Sequence, residues 1–274
     1  MKDLQLESID DDLRNRLWNV VTTTYWDQFQ NVASYGDVKR SNLEHIIVKL
    51  WHGFFKYPLD KMESAFYKVR PVFRDRYFEF EWYQVYDFIE FLYSNSYSQY
   101  SNNLESACNV IFEEENAGYR MIGGKVTPIT SKTEVEEVEG ALSASEPFVG
   151  VRTHLEDAIA KLSNREKSDY RNSVKESISA VESLCQVVTG DRKATLGQAL
   201  NALEKHMPLH GAFKAGLSSL YGYTSDEGGI RHALLEEDAV TFSDAKFMLV
   251  TCSGFVNYVI GKIAEHKISI PVGT

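Results

Sequence analysis

The 274-residue sequence has only three cysteines, and their spacing predicts neither a metal site nor a disulfide. Cys108, Cys185 and Cys252 are scattered, and no two of them form a Cys-x-x-Cys pair. Each falls on an apolar helical stripe, so we expect buried free thiols and a cytoplasmic protein, because disulfides persist in oxidising compartments. His206 and His210 are four residues apart, but a proline between them breaks any shared helical face. The sequence therefore predicts no metal site.

Long apolar runs and a broad basic character are also missing. No run approaches the roughly eighteen apolar residues of a membrane-spanning helix, and the acidic start MKDLQLESIDDD lacks the apolar core of a signal peptide. The net charge is −10, which argues against a broad nucleic-acid-binding surface. The acidity is uneven: residues 1–149 hold 15 Lys and Arg against 24 Asp and Glu (−9), whereas the remainder holds 14 against 15 (−1).

Common nucleotide and hydrolase motifs are absent from the sequence. It contains no Gly-x-Ser-x-Gly, no Walker loop and no dinucleotide fingerprint. The segment GDRKATLG from Gly190 resembles a phosphate loop but lacks the Lys-Ser/Thr ending, so it indicates the end of a helix. We therefore expect no bound cofactor.

Apolar residues at helical spacing dominate the first half. The stretch from Tyr77 to Tyr93 is rich in aromatic residues; a strand would also explain the alternation of Phe78, Phe80 and Trp82, but the length favours one helix buried on more than one side. Five helices are predicted in this half. The first begins at Asp10 to Asp12, the second is capped by Asn42 and ended by Pro58, and the third begins near Asp60 and breaks around Arg70-Pro71. The fourth runs from Tyr77 to Tyr93 and the fifth from Leu104 to Glu115.

A Gly-Gly pair interrupts this helical pattern. Gly123-Gly124 separates two short extended runs and predicts a small β-hairpin at Tyr119 to Ile129. Ser131 and Glu134 then form an S-x-x-E capping box that opens an acidic helix. The segment Ser143 to Gly150 contains a proline and is the predicted domain boundary, which gives domains at residues 1–146 and 147–274.

The second half has an almost purely helical pattern. Val174, Ile178, Val181, Cys185 and Val188 form a narrow stripe on one long helix, which is typical of the seam of a helical bundle or of a dimer. We therefore predict a mainly α protein with two helical domains, the second a helical bundle, and a homodimer formed through that second domain. The helices predicted here are Val151 to Leu162, Lys167 to Val188, Thr195 to His206, Leu209 to Leu220 and Thr241 to Ala264.

The candidate site lies in YGYTSDEGGIRHALLEED, Tyr221 to Asp238. Turn-forming residues lead into Arg231 and His232 at what the pattern predicts to be the start of a helix. A guanidinium and an imidazole at a glycine-lined helix start suit an anion or a phosphate. Glu176 or Glu182 on the long helix is a candidate partner that would orient the guanidinium; the two are six residues apart, so at most one should be near. The alternative is structural, with an arginine that pairs with a carboxylate and a half-buried histidine.

Three segments resemble known families. YRNSVKESISAVESLC, Tyr170 to Cys185, resembles the first conserved helix of the HEPN domain, a helical bundle found in prokaryotic toxins and defence proteins. GGIRHALLEED, Gly228 to Asp238, resembles the HEPN segment that bears the Arg motif. NAGYRMIGGKVTPITSKTEVEEVEGAL, Asn116 to Leu142, is similar to the end of the N-terminal domain of AbiJ-type abortive-infection proteins.

The HEPN resemblance implies a function in phage defence or in a toxin system. Many HEPN domains are metal-independent endoribonucleases whose motif is an arginine, a polar residue and a later histidine. Arg231 and His232 match the first two positions, whereas Glu236, Glu237 and Asp238 occupy the place of the histidine. One hypothesis is a degenerate HEPN-like domain that binds RNA, a nucleotide or a protein partner; the alternative is an active endoribonuclease that uses Arg231 with His232. A dimerisation scaffold is a third.

Overall fold

The computed structural model describes residues 4–31, 36–165, 168–205, 209–225 and 240–270, without the side chains of 221–225. The chain divides into two compact units, residues 1–130 and 131–274. The described elements are eleven α-helices, a few short helical turns and one two-stranded sheet, which confirms the predicted fold class.

Unit 1 begins with the helix that the sequence predicts. The Asp10 side chain caps it by accepting a hydrogen bond from the backbone N of Leu13 at 2.8 Å, and Asp11 and Asp12 lie in its first turn, where negative charge suits the helix dipole. The elements of this unit are α1 (Asp11–Thr24), a 3-10 turn (Trp26–Gln28), α2 (Glu44–Val48), a π-helix (Lys49–Phe54), a 3-10 turn (Leu59–Lys61), α3 (Phe66–Phe78), α4 (Trp82–Ser94), α5 (Ser98–Glu114), β1 (Arg120–Ile122) and β2 (Lys125–Thr127).

Several boundaries predicted in unit 1 are wrong. The helix predicted to begin near Asp60 begins at Phe66, and the helix predicted from Leu104 begins at Ser98. Pro71 lies inside α3 instead of breaking a helix. A proline removes one amide donor, and here the carbonyl left open belongs to the exposed Tyr67, where water can satisfy it. Asn42 does not cap α2: its Oδ1 accepts from the backbone N of Gln30 and its Nδ2 donates to the carbonyl of Gln28, both at 2.7 Å. The side chain of Asn42 therefore fixes the backbone at Gln28 and Gln30 instead of the start of α2.

The aromatic stretch predicted as one helix is divided between α3 and α4. Glu81 and Gln84 form a capping box that starts α4 afresh. The end of α3 is stabilised from α1, because Arg14 Nη1 donates to the carbonyl of Phe80 at 2.7 Å and the Tyr77 hydroxyl donates to the carbonyl of Arg14 at 3.0 Å. The break therefore has a local cause, the capping box, and a distant one, the contact of Arg14 with a residue 66 positions away.

The core of unit 1 is built from aromatic rings. Phe55 stacks on Phe73 with ring centroids 5.3 Å apart and planes inclined by 15°, and Phe88 packs edge-on against Tyr77 at 5.5 Å. Rings in such arrangements contribute roughly 0.5–1.5 kcal/mol per pair beyond their burial. The largest fully buried aromatic side chains are Tyr25, Tyr77, Tyr86, Phe73, Phe88 and Phe112.

The predicted β-hairpin is confirmed, with Gly123-Gly124 as its turn and Met121 opposite Val126. Two carboxylates hold it from the helices. Glu105 of α5 accepts hydrogen bonds from the backbone N of both turn glycines at 3.1 Å. Glu90 of α4 accepts from the backbone N of Val126 at 2.9 Å. These contacts satisfy amides that a two-stranded ribbon leaves unpaired.

Unit 2 is a helical bundle around α8. The predicted stripe of Val174, Ile178, Val181 and Cys185 is buried within the chain, while Val188 is half-buried. The stripe is therefore the seam of the chain's own bundle. Gly190 ends α8 in the left-handed conformation with φ 69°, as predicted. The helices are α6 (Lys132–Ala144), α7 (Val149–Leu162), α8 (Tyr170–Thr189), α9 (Leu196–Glu204), α10 (Gly211–Ser225) and α11 (Phe242–Glu265), and α8 packs against α7, α9 and α11.

Helix α6 lies in unit 2 because it packs against α11. Ser131 Oγ accepts from the backbone N of Glu134, but the Glu134 carboxylate turns to Lys246 of α11, 3.0 Å away, instead of completing the expected capping box. The structural division therefore falls between residues 130 and 131, one helix before the boundary predicted at Ser143 to Gly150. The domain limits 1–146 and 147–274 remain predictions.

Among the described residues, helix α11 is long and apolar enough to cross a membrane by length and composition, although, as the sequence shows, it contains no unbroken run of eighteen apolar residues. In the bundle, 44% of its most apolar window is buried within the chain, and its buried residues include Leu249, Val256 and Val259. A core helix of a bundle passes the same test, so α11 alone is a weak indication of a membrane protein.

We expect Gly124→Ala to destabilise unit 1. The new Cβ would lie 2.3 Å from a ring carbon of Tyr93, and the φ of +82° disfavours any side chain. The predicted loss is about 2 kcal/mol or more, measured as a lower urea midpoint of tryptophan fluorescence. All four tryptophans (Trp18, Trp26, Trp51 and Trp82) lie in this unit, so the signal reports it directly.

Gly261→Ala on α11 is the control, because its Cβ would meet nothing within 4 Å and alanine favours a helix. It should leave the fluorescence midpoint unchanged. Equal midpoints for Gly124→Ala and the wild type would contradict the role given to the turn.

Candidate functional site: the α7–α8 edge

The two residues at the centre of the predicted site lie outside the described residues. Arg231 and His232 fall in the range 226–239, so their predicted cleft stays a prediction. Glu176 and Glu182, the candidate carboxylates, are both described on α8 and are both partly buried. Of the predicted site, the structure therefore describes the two carboxylates on α8.

Helices α7 and α8 run antiparallel and approach closely through small residues. Ser173 Oγ donates to the carbonyl of Ala158 at 2.8 Å, and Ser177 Oγ donates to the carbonyl of Ser173 at 2.9 Å. Both serines are fully buried, so these bonds satisfy hydroxyls that would otherwise cost free energy. At the start of α7, a Cβ on Gly150 would lie 2.6 Å from Ser183 Oγ. This spacing determines which polar side chains meet at the edge of the pair.

Glu176 meets a histidine of α7 at that edge. His154 Nδ1 and Glu176 Oε2 are 2.8 Å apart, and the side chains are 37% and 16% exposed. An ionised carboxylate can only accept, so Nδ1 donates and Nε2 is the nitrogen left to accept or release a proton. A carboxylate that orients an imidazole is a common arrangement in acid–base catalysis. It is also a common structural pair, and the geometry alone fits both.

Glu182 faces a different neighbour. Burial, and to a smaller extent the charge of Glu182, raises the pKa of the Cys185 thiol to about 12. Glu182 therefore lies near Cys185, while Glu176 reaches His154. Six residues apart on one helix, the two carboxylates point to different faces of α8. Whether either one contacts Arg231 or His232 stays a prediction.

The three cysteines are free and buried, as expected. Burial raises the pKa of the Cys252 thiol to about 12 and holds the pKa of Cys108 well above its usual range. A thiol with a pKa this high carries almost no thiolate at neutral pH, and the thiolate is the nucleophile. None of these cysteines is therefore a candidate nucleophile.

The sequence patterns did not single out His154. It follows Val151 by three residues and precedes Ala158 by four, and both of those residues are buried. This spacing places the imidazole on the flank of the apolar face of α7. The imidazole at the edge of a buried apolar stripe is the sequence signal that could have identified His154 as a candidate site residue.

One acidic group in unit 1 has the spacing of a metal site. Single oxygens of Asp10, Asp12 and Glu115 lie within 4.8 Å of one another. A cation is already present, since Arg16 Nη1 lies 2.5 Å from the Glu115 carboxylate, and Asp10 is engaged as the cap of α1. The group therefore stabilises the helix terminus and a salt bridge.

A family model, AbiJ N-terminal domain 4, matches residues 1–144, more than half of the chain. The chain belongs to the AbiJ N-terminal domain 4 family. This confirms the AbiJ part of the resemblance and associates the protein with abortive infection. The match runs through α6 and ends beside the predicted boundary at Ser143 to Gly150. The HEPN resemblance of the second half lies beyond it and stays a prediction. No curated protein and no solved structure matches the chain.

We expect all three cysteines of this AbiJ-family protein to resist Ellman's reagent near pH 8 in the folded state. Their raised pKa values and burial leave almost no accessible thiolate. In guanidinium chloride, all three should react quickly. Rapid labelling of one thiol without denaturant would show that its site opens to solvent.

The contact between His154 and Glu176 can be measured by a double-mutant cycle. We expect His154→Ala and Glu176→Ala to show a coupling of about 0.5 kcal/mol in the free energy of unfolding, since a partly exposed pair contributes modestly. The pair Arg152 and Glu156, one turn apart on α7 and more exposed, is a control for an ordinary surface bridge. A coupling of zero for His154 with Glu176 would argue against a fixed orientation of the imidazole.

Proposed function

We propose that this AbiJ-family protein acts in phage defence through a HEPN-like second unit that binds RNA or a nucleotide at Arg231 and His232. The family match supports the association with abortive infection. The bundle around α8 is compatible with the resemblance of Tyr170 to Cys185 to the conserved HEPN helix. The observation that carries the proposal is the family match itself, and the phosphate site is added to it from the sequence, in which Arg231 and His232 follow Gly228 and Gly229.

The chemistry of the proposed site is recognition of a phosphate. The Arg231 guanidinium would donate two parallel hydrogen bonds to phosphate oxygens, which gives both affinity and orientation. His232 would add a second donor. The carboxylates Glu236, Glu237 and Asp238 follow closely in sequence and would repel a phosphate placed beside them. Binding without cleavage is therefore the function that we favour.

The second candidate is a metal-independent endoribonuclease that uses Arg231 and His232. Arg231 would stabilise the charge that develops on the scissile phosphate. A histidine would move a proton between the 2′-hydroxyl and the leaving oxygen. The observation that favours this candidate is the orientation of His154 by Glu176, because such an imidazole can supply the acid–base group that the motif otherwise lacks.

A homodimer through the second unit remains part of the proposal. The stripe on α8 that suggested it is covered by the chain's own helices. Any pairing must therefore use another surface of that unit. Light scattering at micromolar concentration tests this point, and a monomer would argue against the dimer.

Arg231→Ala separates the alternatives. If the protein binds RNA, this change should weaken binding of a labelled RNA by about tenfold or more, since a charged hydrogen-bond donor is lost. Arg171→Ala, which removes an exposed arginine from α8, is the matched control and should have little effect. Anisotropy measures binding, and a cleavage assay with and without EDTA measures metal-independent activity.

The outcomes differ for each hypothesis. A pure binder leaves RNA intact in every variant. An endoribonuclease cuts RNA in EDTA and loses activity with Arg231→Ala and with His232→Ala, and loss with His154→Ala would identify the α7 imidazole as the acid–base group. If neither Arg231→Ala nor His232→Ala changes anything but stability, the structural alternative is correct and the proposal fails.

A further inference from the structure

Unit 1 carries a basic segment that the proposed function does not use. Residues 39–56, KRSNLEHIIVKLWHGFFK, hold four Lys and Arg against one Glu, a balance of +3, within a stretch of 149 residues whose balance is −9. The segment also includes His45 and His52, both exposed. Residues 66–78 have the same balance of +3, but Lys68 and Arg76 there are paired with Glu63 and Glu79. A positive segment attracts anions most where its cations are not already paired.

This segment adjoins an exposed aromatic ring. Lys49 Nζ donates to Asn95 Oδ1 at 3.0 Å, which ties the π-helix to the end of α4. The rings of His45 and Tyr97 have centroids 6.5 Å apart. Tyr97 is 68% exposed at the turn between α4 and α5. His45, Lys49 and Tyr97 therefore form one continuous surface, here called the His45–Tyr97 surface.

Two cations of this segment, Lys49 and Lys56, are not paired with a carboxylate within the part of unit 1 that the structure describes, whereas the carboxylates of Asp37 and Glu44 accept from the backbone N of Lys39 and of Arg40. Lys49 has a neutral amide partner, and neither it nor Lys56 takes part in a described salt bridge. Elsewhere in the unit, Arg16, Lys68 and Lys125 are each paired with a glutamate. The positive charge of Lys49 and Lys56 is thus available to an anionic ligand.

The backbone beneath this surface is unusual. Lys49–Phe54 is a π-helix of six residues, a conformation that is rare and is found frequently at functional sites. Trp51 anchors it, since its Nε1 donates to the carbonyl of Pro58 at 2.9 Å. Gly53 lies so close to Phe91 that an added Cβ would be 3.3 Å from the ring. The wide turn is therefore held in place by the core, with Lys49 at its first residue.

We propose that the His45–Tyr97 surface binds a segment of single-stranded nucleic acid. Lys49 contacts a backbone phosphate, and the exposed ring of Tyr97 stacks on an unpaired base. A flexible acidic peptide would satisfy the positive charge but would offer no base to the ring. The surrounding acidity repels the rest of the strand, so the contact is short and sensitive to salt.

This site is separate from the proposed site at Arg231 in the second unit. RNA and DNA share the phosphate and the base, so a labelled oligonucleotide of each kind, about ten nucleotides long, is used with the full chain at low salt. An affinity for RNA above that for DNA would assign the site to RNA, and equal affinities would assign it to single strands of both kinds.

Tyr97→Ala should weaken binding about tenfold, because a stacking platform is lost, and Tyr97→Phe should retain it. Tyr67→Ala is the matched control, since this tyrosine lies on α3 and is 72% exposed. It should bind as the wild type does. A Tyr97→Ala protein with wild-type affinity would overturn the proposal.

Lys49→Gln tests the phosphate contact independently. The slope of log affinity against log salt should become shallower by about 0.7, the value expected for one phosphate contact on a single strand. Lys132→Gln on α6 changes the net charge equally, at a side chain 82% exposed, and should leave the slope unchanged. An equal effect of both substitutions would show that only the net charge of the protein matters, and it would contradict the proposal.

The same measurements with Arg231→Ala distinguish the two sites. If oligonucleotide binding persists in Arg231→Ala and is lost when Tyr97→Ala is added, the His45–Tyr97 surface is supported. This holds whether or not the proposed function of the second unit is correct. Binding that Arg231→Ala abolishes and Tyr97→Ala leaves intact overturns this inference while upholding the proposed function. Displacement of the oligonucleotide by poly-glutamate, with no effect of Tyr97→Ala, would identify an acidic polypeptide as the ligand instead.

Discussion

The close approach of α7 and α8 is the constraint on which unit 2 depends. Two fully buried serines, Ser173 and Ser177, allow this approach because their hydroxyls donate to helix carbonyls. Larger side chains at these positions would push the helices apart, and unpaired hydroxyls would destabilise the bundle. The same spacing brings Glu176 within hydrogen-bonding distance of His154. The packing of the core and the geometry of the candidate site therefore have one cause.

Unit 1 is organised differently, by rings in its core and by carboxylates at its edge. The glutamates Glu90 and Glu105 hold the hairpin by accepting from its backbone amides. A ribbon of two short strands is marginal by itself, so these side chains complete its hydrogen bonding. The acidity of the first half is thus partly structural, and it is interrupted by two basic segments, residues 39–56 and residues 66–78.

Local sequence signals predicted those elements whose causes are local. Gly123-Gly124 specified the hairpin turn, and Gly190 the end of α8. Some failures have causes in other elements: Arg14 stabilises the end of α3, and Asn42 bonds to backbone groups of Gln28 and Gln30. The start of α4 has a local signal, the capping box of Glu81 and Gln84, which the run of aromatic residues concealed. At the candidate site, Glu176 was found from its place on the long helix, whereas its partner on α7 follows only from the packing. Arg231 and His232 remain known from their sequence alone.

The position of α6 has a consequence for how the protein can be divided. The family match ends at residue 144, after this helix, yet Val138 and Leu142 of α6 belong to the buried interior of the second unit. A fragment that starts after the matched family region would leave part of α11 bare and prone to aggregate. Separate expression of the two units therefore requires a cut before Ser131, inside the region that sequence similarity assigns to the first.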